Sequence, residues 1–315
     1  MARMDRRDFL GFGAVAGAAM LAPRWMSAQA PGATDRLGQM RAAGATTAIK
    51  TTKLYDNVYL LQGAGGNMGV QTGPDGTLVI DSSFSTAVPH IREAIAALTQ
   101  EPASTLINTH WHVDHTDGNE AMHEAGFMIY AHRKTRDRLA APSTVKLLGI
   151  SLPAAPTGAL PVVTFDDRMQ VWHNGDALDL VHFEPAHTDT DIYIQFHNAD
   201  VLHAGDTFFN RMYPFIDEGT GGSIDGMIQA TATALSLAGP QTKIIPGHGP
   251  LGDRAELQQF HDMLSSVRDK IAALKRAGAN EQEAIARKPT ADLDAQWGKG
   301  MMNGDAFTGL VYRTL

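Results

Sequence analysis

The sequence predicts an α/β fold in which two β-sheets pack together and helices cover them on the outside. Two observations carry this expectation. Runs of strand-like residues followed by helix-like residues occur twice along the 315 residues, the pattern of layered sheets and helices. Metal-competent residues stand at strand ends in both halves and must converge, so no boundary between separate domains is expected over 51–315. With 43% hydrophobic and 19% charged residues, the chain has ample material for one large core.

The first 30 residues stand apart. Arg6-Arg7 is followed by Phe9-Leu10 and by a weakly apolar stretch rich in Gly and Ala from Gly11 to Leu21, the pattern of a twin-arginine export signal. The stretch is shorter than the ~20 apolar residues that span a bilayer, so no stable membrane insertion is expected. Ala28-Gln29-Ala30 fits the small-residue rule for cleavage. A periplasmic or secreted location follows as an expectation. Residues 31–50 show no period and read as a linker.

From Lys53 the pattern becomes strand-like, with Val58 to Leu61, Gly69 to Gln71 and Thr77 to Ile80 separated by Gly-rich turns. Gly63 to Asn67 lacks the Lys and following helix of a phosphate-binding loop and reads as a flexible hairpin turn beside the site. Ala87 to Leu98 reads as an amphipathic helix. A second cycle runs from the strand Thr105 to Asn108 through a short helix near Glu120, the strand Phe127 to Tyr130 and a basic helix from Arg133 to Leu139. Residues 140–161 hold four prolines with little periodicity, as expected of a loop on the surface or over a site. Further strands are read at Val162 to Phe165, Leu178 to Phe183, Ile192 to Phe196 and Val201 to His203, and helices at Ile224 to Leu237 and Arg254 to Ala277. The tail from Asp305 to Leu315, with Met301 and Met302 before it, carries no chemical signal.

The chemistry is concentrated in His110-Trp111-His112-Val113-Asp114-His115. With 13 His in 315 residues, such a run arises by chance in about one chain in a thousand. In an extended backbone residues two apart share a face, so His110 and His112 can bind one ion together. Asp114 and His115 follow where strand gives way to a turn and helix start, a change of direction that aims them at a second ion. Three more segments put a metal-competent residue in a small-residue turn after a strand: His187 after Pro185-Ala186, Asp206 after Ala204-Gly205, and His248 within Pro246-Gly247-His248-Gly249. Cysteine is absent, so any metal is held by nitrogen and oxygen. Such ligands suit zinc, with iron or manganese as alternatives.

The set H-x-H-x-D-H, A-H-T, A-G-D and P-G-H-G, in this order, resembles the metallo-β-lactamase superfamily from Val58 to Leu264. The resemblance implies an αββα sandwich of two mixed β-sheets flanked by helices, with the site at one edge. It implies that His110, His112 and His187 hold one Zn²⁺, that Asp114, His115 and His248 hold the other, and that Asp206 bridges them. Asp81 matches the family's supporting aspartate near the site. Two ions ~3.5–4 Å apart share a water and lower its pKa to about 7, giving a hydroxide that attacks a carbonyl or phosphoryl group. Asp114 then serves as the catalytic carboxylate that orients the hydroxide or passes a proton to the leaving group.

Departures from relatives bear on the substrate. Class B1 β-lactamases place Cys at the position of Asp206 and a Lys three residues later, where this chain has Phe209; Arg211 is the candidate replacement for that cation. His115 is class B3-like, whereas Asp81-Ser82-Ser83-Phe84 and the Gly-His-Gly segment are class B1-like. Phe208, Phe209, Arg211 and Tyr213 are expected to line a substrate pocket that is largely apolar. The expected activity is hydrolysis of a small cyclic amide or ester such as a β-lactam. The alternatives are a glyoxalase II-like thioester or phosphoester hydrolase and a zinc-binding protein without turnover.

Charge excludes other partners. The chain carries −8, and because residues 1–30 hold four Arg and two Asp the remainder stands at −10. An acidic body disfavours nucleic acid and anionic membranes, leaving a small-molecule substrate as the expected partner. His90, His123, His132, His173, His197 and His261 read as surface or hydrogen-bonded residues, His182 and His203 as core imidazoles, and Asp189 and Asp191 as part of a capped turn.

Overall fold

The computed structural model describes residues 33–315. The expected export signal over 1–30 lies outside the described residues. The stretch read as a linker is helical instead, forming α1 (Ala33–Thr46). Its apolar period is weak, and tertiary contacts hold it. Arg41 forms two hydrogen bonds to the Asp117 carboxylate at 2.5 and 3.0 Å, and Thr86 donates to the Arg41 carbonyl. Sequence period alone misses a helix anchored in this way.

Two mixed sheets follow, as expected. The first is built from β1 (Lys50–Lys53), β2 (Val58–Gln62), β3 (Met68–Gln71), β4 (Thr77–Ile80), β5 (Ala103–Ile107), β6 (Met128–His132) and, after the small hairpin of β7 (Ser143–Val145) and β8 (Ile150–Leu152), β9 (Val163–Phe165). The order is sequential, antiparallel from β1 to β4 and parallel from β4 onward. The second sheet takes β10 (Arg168–His173), β11 (Asp176–His182), β12 (Ile192–Phe196), β13 (Val201–Phe209) and β14 (Lys243–His248), with β13 and β14 parallel. Strand periodicity puts alternate side chains on opposite faces. Leu78 and Ile80 of β4, with Ile107 of β5, therefore meet Leu178, Leu180, Ile194 and Phe196 of the second sheet in the space between the sheets. Val79 and Leu106 point the other way.

Those outward residues are covered by helices. Val79, Leu106 and Ile129 pack under α2 (Val88–Ala96), through Ile91 and Ile95, and under Met122. Near that face the chain also forms α3 (Val113–Thr116), α4 (Asn119–Glu124) and α5 (Arg133–Leu139). Leu202, Ala204 and Phe208 of β13 pack against α6 (Ile224–Leu237) and α7 (Arg254–Arg276). The chain then runs through α8 (Glu281–Ala286) and α9 (Asp294–Trp297) to α10 (Gly304–Thr314), whose Phe307, Leu310 and Val311 join the same cluster. The result is the expected αββα sandwich. The C-terminal ends of β4, β5, β13 and β14 all open at one edge of it.

Replacing Arg41 with Ala should free α1 while leaving the sandwich intact, because an ion pair this exposed contributes no more than about 1 kcal/mol to global stability. Faster amide hydrogen exchange confined to residues 33–46 is the expected readout; unchanged exchange there would show that α1 is anchored by other contacts.

Candidate metal centre

At the open edge, β5 delivers the histidine run. The backbone N–H of Thr109 donates to one Asp81 oxygen and its hydroxyl to the other, both at 2.8 Å. Asp81 stands immediately after β4 with φ +64°, a conformation that costs a non-glycine residue energy and that its three hydrogen bonds hold in place. His112 is extended and precedes α3, so the chain turns there and sends Asp114 and His115 away from His110 and His112. A register shift in β13 around Gly205 turns Asp206 toward the same spot. Two glycines permit the approach. A β-carbon on Gly66 would enter the His115 ring, and one on Gly247 would strike the Asp206 carboxylate.

The hydrogen bonds assign the histidine tautomers. The Phe215 carbonyl can only accept, so His187 donates to it from Nδ1, 2.8 Å away. His112 donates from Nε2 to the Asp217 carboxylate at 3.2 Å, and His115 donates from Nδ1 to Asp81 at 2.7 Å. The Thr109 hydroxyl is already given to Asp81, so it accepts from His110 Nδ1 at 3.0 Å. His110, His112 and His187 are each left with an unprotonated nitrogen facing inward, whereas His115 turns its Nε2 toward the Asp206 carboxylate, 3.1 Å away. His112 Nδ1 and His187 Nε2 lie 2.9 Å apart in this way, and His110 Nε2 is buried without a hydrogen-bond partner. Converging lone pairs repel unless a cation stands among them, and a second nitrogen held by an oxygen is the usual support of a metal-binding imidazole.

The donor atoms form two groups, His110, His112, His187 and Asp206 in one and Asp114, His115 and His248 in the other, with the atoms of each group within 4.8 Å of one another. Asp206 reaches into both. Its carboxylate lies 3.4 Å from His187 Nε2 and 3.9 Å from His110 Nε2 on one side, and 3.1 Å from His115 Nε2 and 3.4 Å from His248 Nε2 on the other. Asp114 is 3.2 Å from His248 Nε2.

Electrostatics follow from burial and this geometry. Burial lowers His110 well below the usual histidine range and brings His187 down to about 4, the latter partly opposed by Asp206. Burial would raise Asp114, but His115 and His248 hold it at about 2; Asp206, buried likewise, is held well below its ordinary value by His248 and His115. His115 is raised well above its ordinary value and His248 up to about 10, in both cases because Asp206 and Asp114 outweigh burial. Protons on His115 and His248 thus balance the buried carboxylates when no metal is bound.

The expected substrate residues divide. Phe209 stacks on His248 with ring centroids 5.2 Å apart and lines the cavity over the site. Phe208, one position earlier on β13, faces the opposite way into the core against Phe260. Tyr213 is buried, its hydroxyl bonded to Asp294 at 2.9 Å and its ring stacked on Phe307. Arg211 turns outward with φ +64° and pairs with Glu256 at 2.8 Å, so it does not replace the missing lysine. Phe208, Arg211 and Tyr213 are therefore not pocket residues: strand alternation buries the first, and the turn after β13 carries the others away from the site.

Other segments come in. The 140–161 stretch does cover the site, through Val145, Leu148 and Ile150 on the β7–β8 hairpin, and Met40 and Met301 close the cavity from the two ends of the chain. Asp217, Met40 and Met301 belong to no motif, and only the assembled fold brings them here. The turn from Gly63 to Asn67 lies beside the site but is pinned: Gly66 N–H donates to the Asp114 carbonyl, and Asn67 donates to the carbonyls of Pro246, Gly247 and Gly249. Asp191 caps the His187 turn by accepting from the backbone of His187 and Thr188, and Asp189 pairs with Arg138. His132 and His182 stack on each other outside the cluster at 3.7 Å, and His203 is buried with one nitrogen unpartnered.

The family model of the metallo-beta-lactamase superfamily matches residues 61–248. Solved structures are similar in fold. A sec-alkylsulfatase, Pisa1 from Pseudomonas sp., superposes with TM-score 0.64 at 17% identity over 90% of this chain and 53% of that one, and a double mutant of PisA1 over 88% and 51% at the same TM-score and 16% identity. The chain thus spans about half the length of the alkylsulfatase. A metallo-beta-lactamase from Pontibacter korlensis gives TM-score 0.57 at 17% identity over 69% of this chain and 99% of that one, and DIM-1 metallo-beta-lactamase gives 0.55 at 19% over 69% and 97%.

Two outcomes are expected. Because His115 and His248 must give up protons to bind metal, zinc binding at pH 7 should release protons and strengthen as pH rises toward 9; calorimetry in buffers of different ionisation enthalpy reads the release, and a proton count of zero would contradict the charge balance above. Asp217→Ala should weaken zinc binding about 10–100-fold in chelator competition, the usual effect of losing an imidazole's supporting carboxylate.

Proposed function

The chain belongs to the metallo-β-lactamase superfamily, and from that premise we propose that it is a dizinc hydrolase of small cyclic amides or esters, exported through the twin-arginine route to the periplasm or beyond. The observation that carries the reading is the Asp206 carboxylate, which reaches both donor groups at once. A chain that only stores zinc needs one complete donor set, whereas a shared carboxylate supports a pair of ions acting on one bond. The buried inward-facing nitrogens fit zinc, with iron or manganese as the nearest alternatives.

In this reading His110, His112 and His187 would hold one ion and Asp114, His115 and His248 the other, with Asp206 within reach of both. Bound there, the ions would supply a hydrolytic nucleophile at neutral pH and polarise the substrate's acyl oxygen. The protein's part is to position and to move protons. Asp81 holds Thr109 and His115 in register, and Asp217 and the Phe215 carbonyl aim His112 and His187. Asp114 borders the cavity and keeps its charge, so it suits the transfer of a proton to the departing group. Phe209 and Phe215 give the substrate an apolar floor.

Among cyclic amides, β-lactams that rely on a cationic anchor for their carboxylate fit least well, since the expected anchor, Arg211, is committed to Glu256. Open-chain esters and thioesters are the second reading, favoured by the same apolar floor.

Asp206→Ala should lose one of two metal equivalents and at least about a hundredfold in kcat/KM, a loss no smaller than that of a supporting residue. Metal analysis with a panel of a lactone, a thioester and a chromogenic cephalosporin tests this. The lactone should be turned over faster than the cephalosporin, and two bound metals with no turnover of any member would favour a zinc-binding protein instead.

A further inference from the structure

Beyond the donor groups, the walls of the site are apolar. Met40 from α1, Val145, Leu148 and Ile150 from the β7–β8 hairpin, Phe215 and Met301 close over His112, Asp114, Asp206 and His248. None of these six side chains carries a charge or a hydrogen-bond donor. The cations of α1 are engaged elsewhere: Arg41 is paired with Asp117, and Arg36 donates to the Leu148 carbonyl at 3.1 Å. The cavity is narrow, ≈ 20 Å³ or room for about one water molecule, and partly open to solvent, so a larger substrate fits as the side chains around it shift. Met40 and Met301, unbranched and polarisable, can re-form around apolar shapes.

We infer that the substrate presents, beyond the bond being hydrolysed, an uncharged apolar group seated among these six side chains; the inference rests on the hydrolase reading above. A carboxylate or ammonium in that position would lose its hydration without a partner in exchange, whereas an alkyl or aryl group trades water for thioether, methyl and ring contacts. Selectivity then comes from the cover, which the β7–β8 hairpin and both ends of the chain supply, and recognition of charge is confined to the metal-binding floor.

The test separates binding from turnover. On zinc-loaded protein, calorimetry is run with 1-butanethiol and 3-mercaptopropionate, which offer the same metal-seeking sulfur with an apolar or an anionic tail. Butanethiol should bind at least tenfold more tightly, and Leu148→Lys should narrow or invert the preference. Met301→Lys, at a position 55% exposed, provides the same reversal should the first variant fold poorly. Equal or tighter binding of 3-mercaptopropionate, or no binding of either thiol, overturns the inference. Methyl butyrate and monomethyl succinate, which differ only in an apolar or an anionic tail, are assayed alongside. Preferential thiol binding without hydrolysis of either ester or of the lactone, thioester and cephalosporin defeats the hydrolase reading and leaves the apolar preference standing; equal hydrolysis of both esters defeats the preference and leaves the hydrolase reading standing.

Discussion

Lone pairs that face one another without a proton between them are the constraint on which the rest of this structure turns. His112 Nδ1 and His187 Nε2 meet at 2.9 Å while their other nitrogens are committed to Asp217 and the Phe215 carbonyl. Rotating either ring to relieve the contact would break a buried hydrogen bond, and leaving a buried polar group unpaired costs about 1–3 kcal/mol. The protein therefore stores electrostatic tension that a divalent cation relieves. The same logic extends to His110, whose inward nitrogen lacks a partner.

Holding that arrangement requires stiffness from both sheets. Asp81 ties the end of β4 to Thr109 after β5 and to His115 in α3, and it does so from a left-handed backbone conformation. Asn67 sews the β2–β3 turn of the first sheet onto the Pro246–Gly249 segment of the second. The apolar layer between the sheets supplies the driving force, and these polar ties fix the register in which the strand ends meet. Gly66 and Gly247 show how little slack remains, since neither tolerates even a β-carbon.

Rigidity ends at the floor of the site. The cover comes from a short two-stranded hairpin, from an N-terminal helix held largely by polar contacts, and from Met301 near the other end of the chain. Val145 and Ile150 anchor the hairpin in the core, whereas Leu148, Met40 and Met301 are only partly covered, so the cover moves through its side chains more readily than the core strands do. The division of labour is physical: chemistry needs donors fixed to fractions of an ångström, and admission of a substrate into ≈ 20 Å³ needs walls that give way.

Much of this was legible in the residues themselves. Period-2 patterns such as Leu78-Val79-Ile80 carry the strands, and metal-competent side chains in small-residue turns after strands point to the seven donors, because local backbone geometry dictates both. The helix over 33–46 and the pinned Gly63–Asn67 turn were not legible, since distant partners hold them. Nor were the true walls of the site: a run such as Phe208 to Phe215 reads as uniformly apolar, and only the alternation of β13 and the turn after it send Phe209 inward, Phe208 and Tyr213 into the core, and Arg211 out to Glu256. Sequence by itself determined the layered fold and the donor set, because short-range spacing encodes them. Tertiary structure decided the orientation of His112 and His187 through Asp217 and the Phe215 carbonyl, and the enclosure of the site by Met40 and Met301, because those contacts join residues on different elements, 105 positions apart for His112 with Asp217 and 28 for His187 with Phe215, that acquire meaning only when the chain closes.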